Sequence, residues 1–167
     1  MKWWIAIMIS MSVVGQVRGG ASSRSYRVTL ERISLLKSEA ENHEENLFGS
    51  IWAGAYCNSN EGQTGNSFDS RERTLKLFER SPTDFVRVKE GGTIVINKSL
   101  IFDIPNCNGN QANITLTASL SEQNGNRKYT TERLRVYLSE INGILKRTIN
   151  CYNRGSHFQL TFVISNV

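Results

Sequence analysis

Apolar and polar residues alternate along most of the chain from residue 26 onward. Tyr26, Val28 and Leu30 alternate with Arg27 and Thr29, which is the two-residue period of a strand with one buried face. The same period recurs in residues 47–56, 75–77, 86–88, 94–104, 114–120, 134–138 and 158–164. No helical period competes with it, and the pattern predicts about eight strands.

Turn-forming residues separate these predicted strands. Residues 81–84 predict a hairpin between the strands at 75–77 and 86–88, and Asn142-Gly143 predicts a second hairpin after residue 138. Short strands joined by polar turns predict an all-β protein, an antiparallel β-sandwich in which each strand buries one face.

The first 21 residues have a different pattern. Lys2 precedes a mostly apolar run over residues 3–14, and the small residues Gly19, Gly20 and Ala21 follow. This order is typical of a secretory signal peptide. We therefore expect cleavage after Ala21, a single domain over residues 22–167, and a secreted or extracytoplasmic protein.

The charge balance is only moderately basic. The chain of 167 residues has 20 Lys and Arg and 15 Asp and Glu, a formal net charge of +5. Removing Lys2 and Arg18 with the leader leaves 18 basic and 15 acidic residues, a net charge of +3. Nucleic-acid binding by a whole domain generally needs a larger basic excess, so we expect no nucleic-acid partner.

An exported chain with three cysteines, Cys57, Cys107 and Cys151, is expected to form one disulfide and keep one thiol. All three pairings are open, and we favour Cys57 with Cys107 because both follow apolar runs and lie among Asn and Gly. Two triplets match the N-glycosylation pattern, which applies if the protein is eukaryotic, and they begin at Asn97 and Asn113. Asn97 is the better candidate acceptor, because Asn113 begins a predicted strand.

Three consecutive pieces of the chain resemble C2 domains. Residues 26–36 and 45–52, with the acidic loop between them, are similar to the first loop and second strand of that family. Residues 114–126 are similar to the strand and loop that carry its later calcium ligands, and residues 133–143 with 158–164 are similar to its closing hairpin. The resemblance implies a C2-like sandwich, although an immunoglobulin-like sandwich fits the same strand pattern.

The acidic residues depart from the calcium-binding members of that family, which supply several Asp carboxylates from facing loops. After the leader, the chain has three aspartates: Asp69, Asp84 and Asp103. The acidic loop has four glutamates, which we expect to form a solvated surface: Glu39, Glu41, Glu44 and Glu45. The resemblance therefore implies a calcium-independent domain, and we expect no metal and no cofactor.

Basic residues form the clearest surface feature. Four of them are expected to point outward from the predicted hairpin: Lys76, Arg80, Arg87 and Lys89. Arg133 and Arg135 form a second stripe with Tyr137. Because C2 domains often hold anionic headgroups on a comparable basic face, the resemblance implies contact with a membrane surface through these residues.

Other residues give alternatives. Phe48, Trp52 and Tyr56 are four residues apart and share one strand face, so they form either a glycan-binding platform or one wall of the core. The two histidines, His43 and His157, would serve a small secreted hydrolase such as a ribonuclease as an acid and base pair, but nothing in the sequence brings them together.

We therefore expect a secreted, non-catalytic binding module rather than an enzyme. Its expected partner is an anionic or glycan-bearing cell surface or an extracellular protein. An accessory subunit of a secreted toxin or adhesin is an alternative.

Overall fold

The structure is a computed structural model, and it describes residues 23–57, 73–105, 112–123 and 127–167. These residues form eleven β-strands and one 3-10 helix. The strands are β1 (Ser23–Lys37), β2 (Glu44–Tyr56), β3 (Arg73–Arg80), β4 (Val86–Lys89), β5 (Thr93–Pro105), β6 (Asn113–Glu122), β7 (Arg127–Lys128), β8 (Thr130–Thr131), β9 (Leu134–Tyr137), β10 (Ile144–Asn153) and β11 (Ser156–Asn166). The helix, Leu138–Glu140, connects β9 to β10. The predicted leader at 1–21 and Cys107 lie outside the described residues.

The strands form two antiparallel sheets. Sheet A has the order β5-β1-β11-β10-β8. Sheet B has the order β3-β2-β6-β7, with β4 also paired to β2 and β9 to β6. This arrangement confirms the predicted all-β sandwich. The strands number more than eight because β7, β8 and β10 are additional to the predicted ones.

The core lies between the two sheets and follows the alternation of each strand. In β1, Val28 and Leu30 are buried, and so are Ile33 and Leu35. These two pairs are out of phase by one residue, but the register of β1 shifts at Glu31, so both pairs face the core. Sheet B supplies the other wall of the core, with Ile51, Ala53, Leu77, Phe78, Ile114, Leu116 and Leu120.

The two predicted hairpins are wrong. Strands β3 and β4 do not pair with each other among the described pairings; β3 pairs with residues 49–55 of β2 and β4 with residues 44–47. Asn142-Gly143 connects β9 in sheet B to β10 in sheet A, so it joins the sheets. The turn at Arg154-Gly155 instead makes a hairpin of β10 and β11. The closing hairpin implied by the resemblance therefore lies one strand later than expected.

The acidic loop is also only partly as predicted, because Glu45 is 2% exposed and belongs to β2. Its carboxylate accepts hydrogen bonds from Ser38 Oγ at 2.9 Å, Ser156 Oγ at 2.6 Å and Tyr129 Oη at 3.1 Å. Burial and the nearby charge of Glu45 raise the pKa of Tyr129 far above its usual range. Glu39 and Glu41 are exposed, as expected, and Glu44 is half-buried.

Cys151 is a free thiol with 0% exposure. The pairing of Cys57 with Cys107 stays a prediction. No helix among the described residues is long and apolar enough to cross a membrane.

Candidate binding surface

The four basic residues predicted at the hairpin lie along one edge of sheet B, on strands β3 and β4. All four are exposed: Lys76, Arg80, Arg87 and Lys89. Each has a carboxylate partner. Lys76 pairs with Glu79, and Arg80 Nη1 lies 2.7 Å from Asp84 Oδ2.

The two basic residues of β4 share one carboxylate. Glu44, opposite β4 on strand β2, lies 3.5 Å from Lys89 Nζ and 3.9 Å from Arg87 Nε. Arg87 Nε also donates to Asn46 Oδ1 at 3.4 Å. Along this edge, four cations therefore face three carboxylates, and the local net charge is only +1.

The second predicted basic stripe lies elsewhere. Arg135 is exposed on β9 and pairs with Thr115 of β6, on the far side of β2 from β3 and β4. Arg133 is exposed just before β9. The structure therefore does not bring the two sets of basic residues together on one strand edge.

The three aromatic residues of β2 alternate with the buried Ile51 and Ala53, so they point to the outer face of sheet B. Phe48, Trp52 and Tyr56 are each half-buried, and none of them belongs to the core cluster. They are therefore not a wall of the core. Whether they hold a sugar stays a prediction.

Each histidine has its own set of contacts. His43 Nδ1 lies 2.9 Å from Glu90 Oε2, and this hydrogen bond lowers the pKa of Glu90. His157 stacks on Tyr152 with ring centroids 4.3 Å apart, and its Nε2 lies 3.1 Å from Asn150 Oδ1. These contacts have no residue in common. Within the described ranges, no group of three or more His, Cys, Asp or Glu is placed to hold a metal ion.

The outer face of sheet A carries a surface that the sequence analysis missed. Among the described residues, seven large apolar side chains are exposed, and five belong to strands of sheet A: Leu36, Val95, Ile101, Ile144 and Tyr152. Ile144 is 78% exposed, Val95 66% and Ile101 49%. Single exposed apolar side chains are common on proteins, so their arrangement relative to one another decides whether they form a binding surface.

Strand registers place two of these side chains in one row. Ile101 on β5 pairs with Arg27 on β1, Arg27 pairs with Ser165 on β11, and Ser165 pairs with Ile144 on β10. Directly paired residues point to the same side of a sheet, and three strand spacings separate the two isoleucines by about 14 Å. The row therefore has an arginine between two exposed aliphatic side chains.

Neighbouring rows continue this surface. Lys146 on β10 pairs with Val163 on β11, and Val163 pairs with Thr29 on β1. Val95 on β5 pairs with Arg32 on β1. We name Arg27, Arg32, Val95, Ile101, Ile144 and Lys146 the sheet A patch.

The sheet A patch is basic. Arg27 and Arg32 are exposed, and neither makes an ion pair with another described residue. Lys146 Nζ lies 2.7 Å from Glu31 Oε2, the residue at the register shift of β1. Asp103 is exposed on β5 two residues from Ile101 and accepts a hydrogen bond from Ser25 Oγ. Three cations against Glu31 and Asp103 leave a net charge of +1 beside the exposed aliphatic side chains.

Comparisons with known proteins give few matches. No family model matches the sequence, and no curated protein matches it significantly. Among solved structures, a human GIVD cytosolic phospholipase A2 in complex with methyl gamma-linolenyl fluorophosphonate inhibitor and terbium chloride is 11% identical, with a TM-score of 0.42 over 87% of this chain and 18% of that chain. A second structure of human GIVD cytosolic phospholipase A2 is 15% identical, with a TM-score of 0.41 over 89% of this chain and 17% of that chain.

The chain thus spans less than a fifth of the length of these phospholipase chains. A similarity at these TM-scores carries no conclusion about activity or partner. The two antiparallel sheets of the described residues are compatible with a C2-like sandwich.

Proposed function

We propose that this chain is a secreted, non-catalytic module that binds an anionic membrane surface through the sheet A patch. The observation that carries the proposal is the row in which Arg27 lies between the exposed side chains of Ile101 and Ile144. A cation between aliphatic side chains is suited to a bilayer with negative headgroups. The aliphatic groups enter the interface while the cation stays at headgroup level.

The size of each contribution favours reversible binding. Burying one aliphatic side chain is worth about 1.5–3 kcal/mol when burial is complete. Each basic residue near an anionic leaflet adds about 1 kcal/mol. These terms, reduced by the cost of association, correspond to a weak and salt-sensitive attachment.

The basic residues of β3 and β4 remain a second candidate contact. They are the residues that the sequence predicts for this role: Lys76, Arg80, Arg87 and Lys89. Because each already has a carboxylate partner, moving them to lipid phosphates exchanges one partner for another. We therefore propose that they contribute less than the sheet A patch.

Vesicle sedimentation tests the proposal. We expect the protein to sediment with vesicles that contain phosphatidylserine and not with pure phosphatidylcholine, and salt should weaken the binding. Replacing Arg27 and Arg32 together with serine should lower the affinity by about 30-fold, from about 1 kcal/mol per cation. The matched control replaces Lys76 and Arg80 with serine and should have a smaller effect.

Three results would overturn this proposal. They are no sedimentation with either vesicle, equal sedimentation with both, and a larger loss in the Lys76 and Arg80 control. If the partner is instead an extracellular protein, such as a toxin or adhesin for which this chain is an accessory subunit, lipid composition will have no effect.

A glycan-binding surface is a second candidate function, and the outward placement of Phe48, Trp52 and Tyr56 favours it. Aromatic faces pack against sugar rings while polar neighbours take the hydroxyl groups. Trp52→Ala would abolish retention on a glycan array under this hypothesis. The same substitution would leave vesicle binding unchanged, which separates the two functions.

A further inference from the structure

We propose that Asn97 is the acceptor of an N-linked glycan in the folded protein and that Asn113 is not. The sequence has two acceptor triplets, Asn97-Lys98-Ser99 and Asn113-Ile114-Thr115. Both satisfy the pattern equally well. The structure separates them by burial and by position in the sheets.

Asn97 lies on β5, which is the edge strand of sheet A. Lys98 pairs with Leu30 and Val95 pairs with Arg32, so Asn97 falls within an irregularity of the β1–β5 ladder. Its φ of 49° is in the left-handed region, which Asn adopts more readily than most residues. Asn97, Lys98 and Ser99 are all exposed, so a glycan there projects into solvent without displacing packed side chains.

Asn113 has the opposite environment. It is 4% exposed and pairs with Tyr56 on one side and Tyr137 on the other. Its Oδ1 accepts a hydrogen bond from Thr115 Oγ1 at 3.1 Å, within the triplet itself. A sugar on the amide nitrogen has no room in this position. Because glycans are attached during chain entry, modification at Asn113 would prevent β6 from joining sheet B.

A glycan at Asn97 would protect the edge of sheet A. An edge strand presents unpaired backbone groups, and proteins protect such strands against pairing with another chain. A glycan at Asn97 covers the middle of β5. Val95 is two residues from Asn97 and Ile101 is four residues along the same strand, so the glycan lies beside the sheet A patch.

To test this, the full chain is expressed in a eukaryotic secretory cell line in two versions. One version keeps residues 1–21, and the other has a heterologous leader in their place. The heterologous leader keeps this test independent of the predicted signal peptide and of membrane binding. Secreted protein is treated with peptide N-glycosidase in heavy-oxygen water, which converts each glycosylated Asn to labelled Asp. In the secreted protein, we expect labelled Asp at position 97 alone. This readout uses the unsubstituted sequence, so no substitution can disturb folding.

Two variants provide matched controls. Asn97→Gln and Ser99→Ala should each remove the whole glycan mass, and both change exposed residues. Two results would overturn the proposal. One is secretion of the version with the heterologous leader without a glycan, and the other is labelling at Asn113. A glycan seen only with the heterologous leader would support Asn97 as the acceptor and argue against the predicted signal peptide.

Discussion

Ser156 Oγ donates a 2.6 Å hydrogen bond to the buried carboxylate of Glu45. This bond joins the start of β11 in sheet A to the start of β2 in sheet B, across 111 positions of sequence. Ser156 Oγ also accepts from the backbone N–H of Glu39 at 3.0 Å. One hydroxyl therefore connects the β1–β2 loop with both sheets.

Ser156→Ala is expected to destabilise the fold by about 1–3 kcal/mol, because it leaves a buried carboxylate with one donor fewer. Urea unfolding monitored by tryptophan fluorescence measures the change. Ser34→Ala is the matched control, since Ser34 bonds Thr93 at 2.9 Å in an exposed position. Equal effects of the two substitutions would show that the buried network does not stabilise the protein.

Cys151 is expected to be unreactive in the folded protein. Its thiol is fully buried, and burial, followed by the charge of Glu132, raises its pKa to about 12. The thiolate is the reactive form, so alkylation at pH 8 should be slow until the chain unfolds. Mass spectrometry after iodoacetamide treatment, with and without urea, measures this. Rapid labelling of the native protein would contradict the buried placement.

Stability is expected to fall at alkaline pH. Cys151 has a folded pKa of about 12 against an ordinary value of 9.0, so the folded state holds this proton more tightly. Its contribution is present below about pH 9 and is lost as pH rises toward 12. Urea unfolding between pH 7 and 11 should show the decline, and Cys151→Ala should reduce it. An identical decline in the variant would assign it to other groups, among them Tyr129.

Two glycines with positive φ are expected to differ in their tolerance of alanine. Gly49, with φ 119°, lies within β2, and a Cβ there would collide with the carbonyl oxygen of Ser119. Gly143, with φ 84°, has nothing within 4 Å of such a Cβ. Gly143→Ala should cost about 1–2 kcal/mol from backbone strain alone, whereas Gly49→Ala should cost about 3 kcal/mol or more. Thermal unfolding compares them, and similar losses would contradict the close approach of β2 and β6.

The sequence was sufficient to predict the sandwich, because alternation in β1, β2 and β6 is set by one buried face. The sequence did not predict which neighbouring strand each short strand pairs with. Val86 and Val88 alternate equally well whether β4 pairs with β3 or with β2, and only the three-dimensional arrangement decides between them.

The sheet A patch was missed for a related reason. Its signal was present, since residues 94–96 and 100–102 are consecutive apolar triplets in which one member must face away from the core. Alternation alone does not say which sheet face receives Val95 or Ile101. Glu45 was assigned to a solvated loop because its hydroxyl partners Ser156 and Tyr129 are distant in sequence.

The most direct test of membrane contact places an environment-sensitive fluorophore at position 144, by Ile144→Cys labelling, and a second at position 74, by Thr74→Cys labelling, on β3 of sheet B. With phosphatidylserine vesicles, we predict a blue shift and brighter emission at position 144 and no change at position 74. A response at position 74 alone, or at neither position, would contradict binding through the sheet A patch.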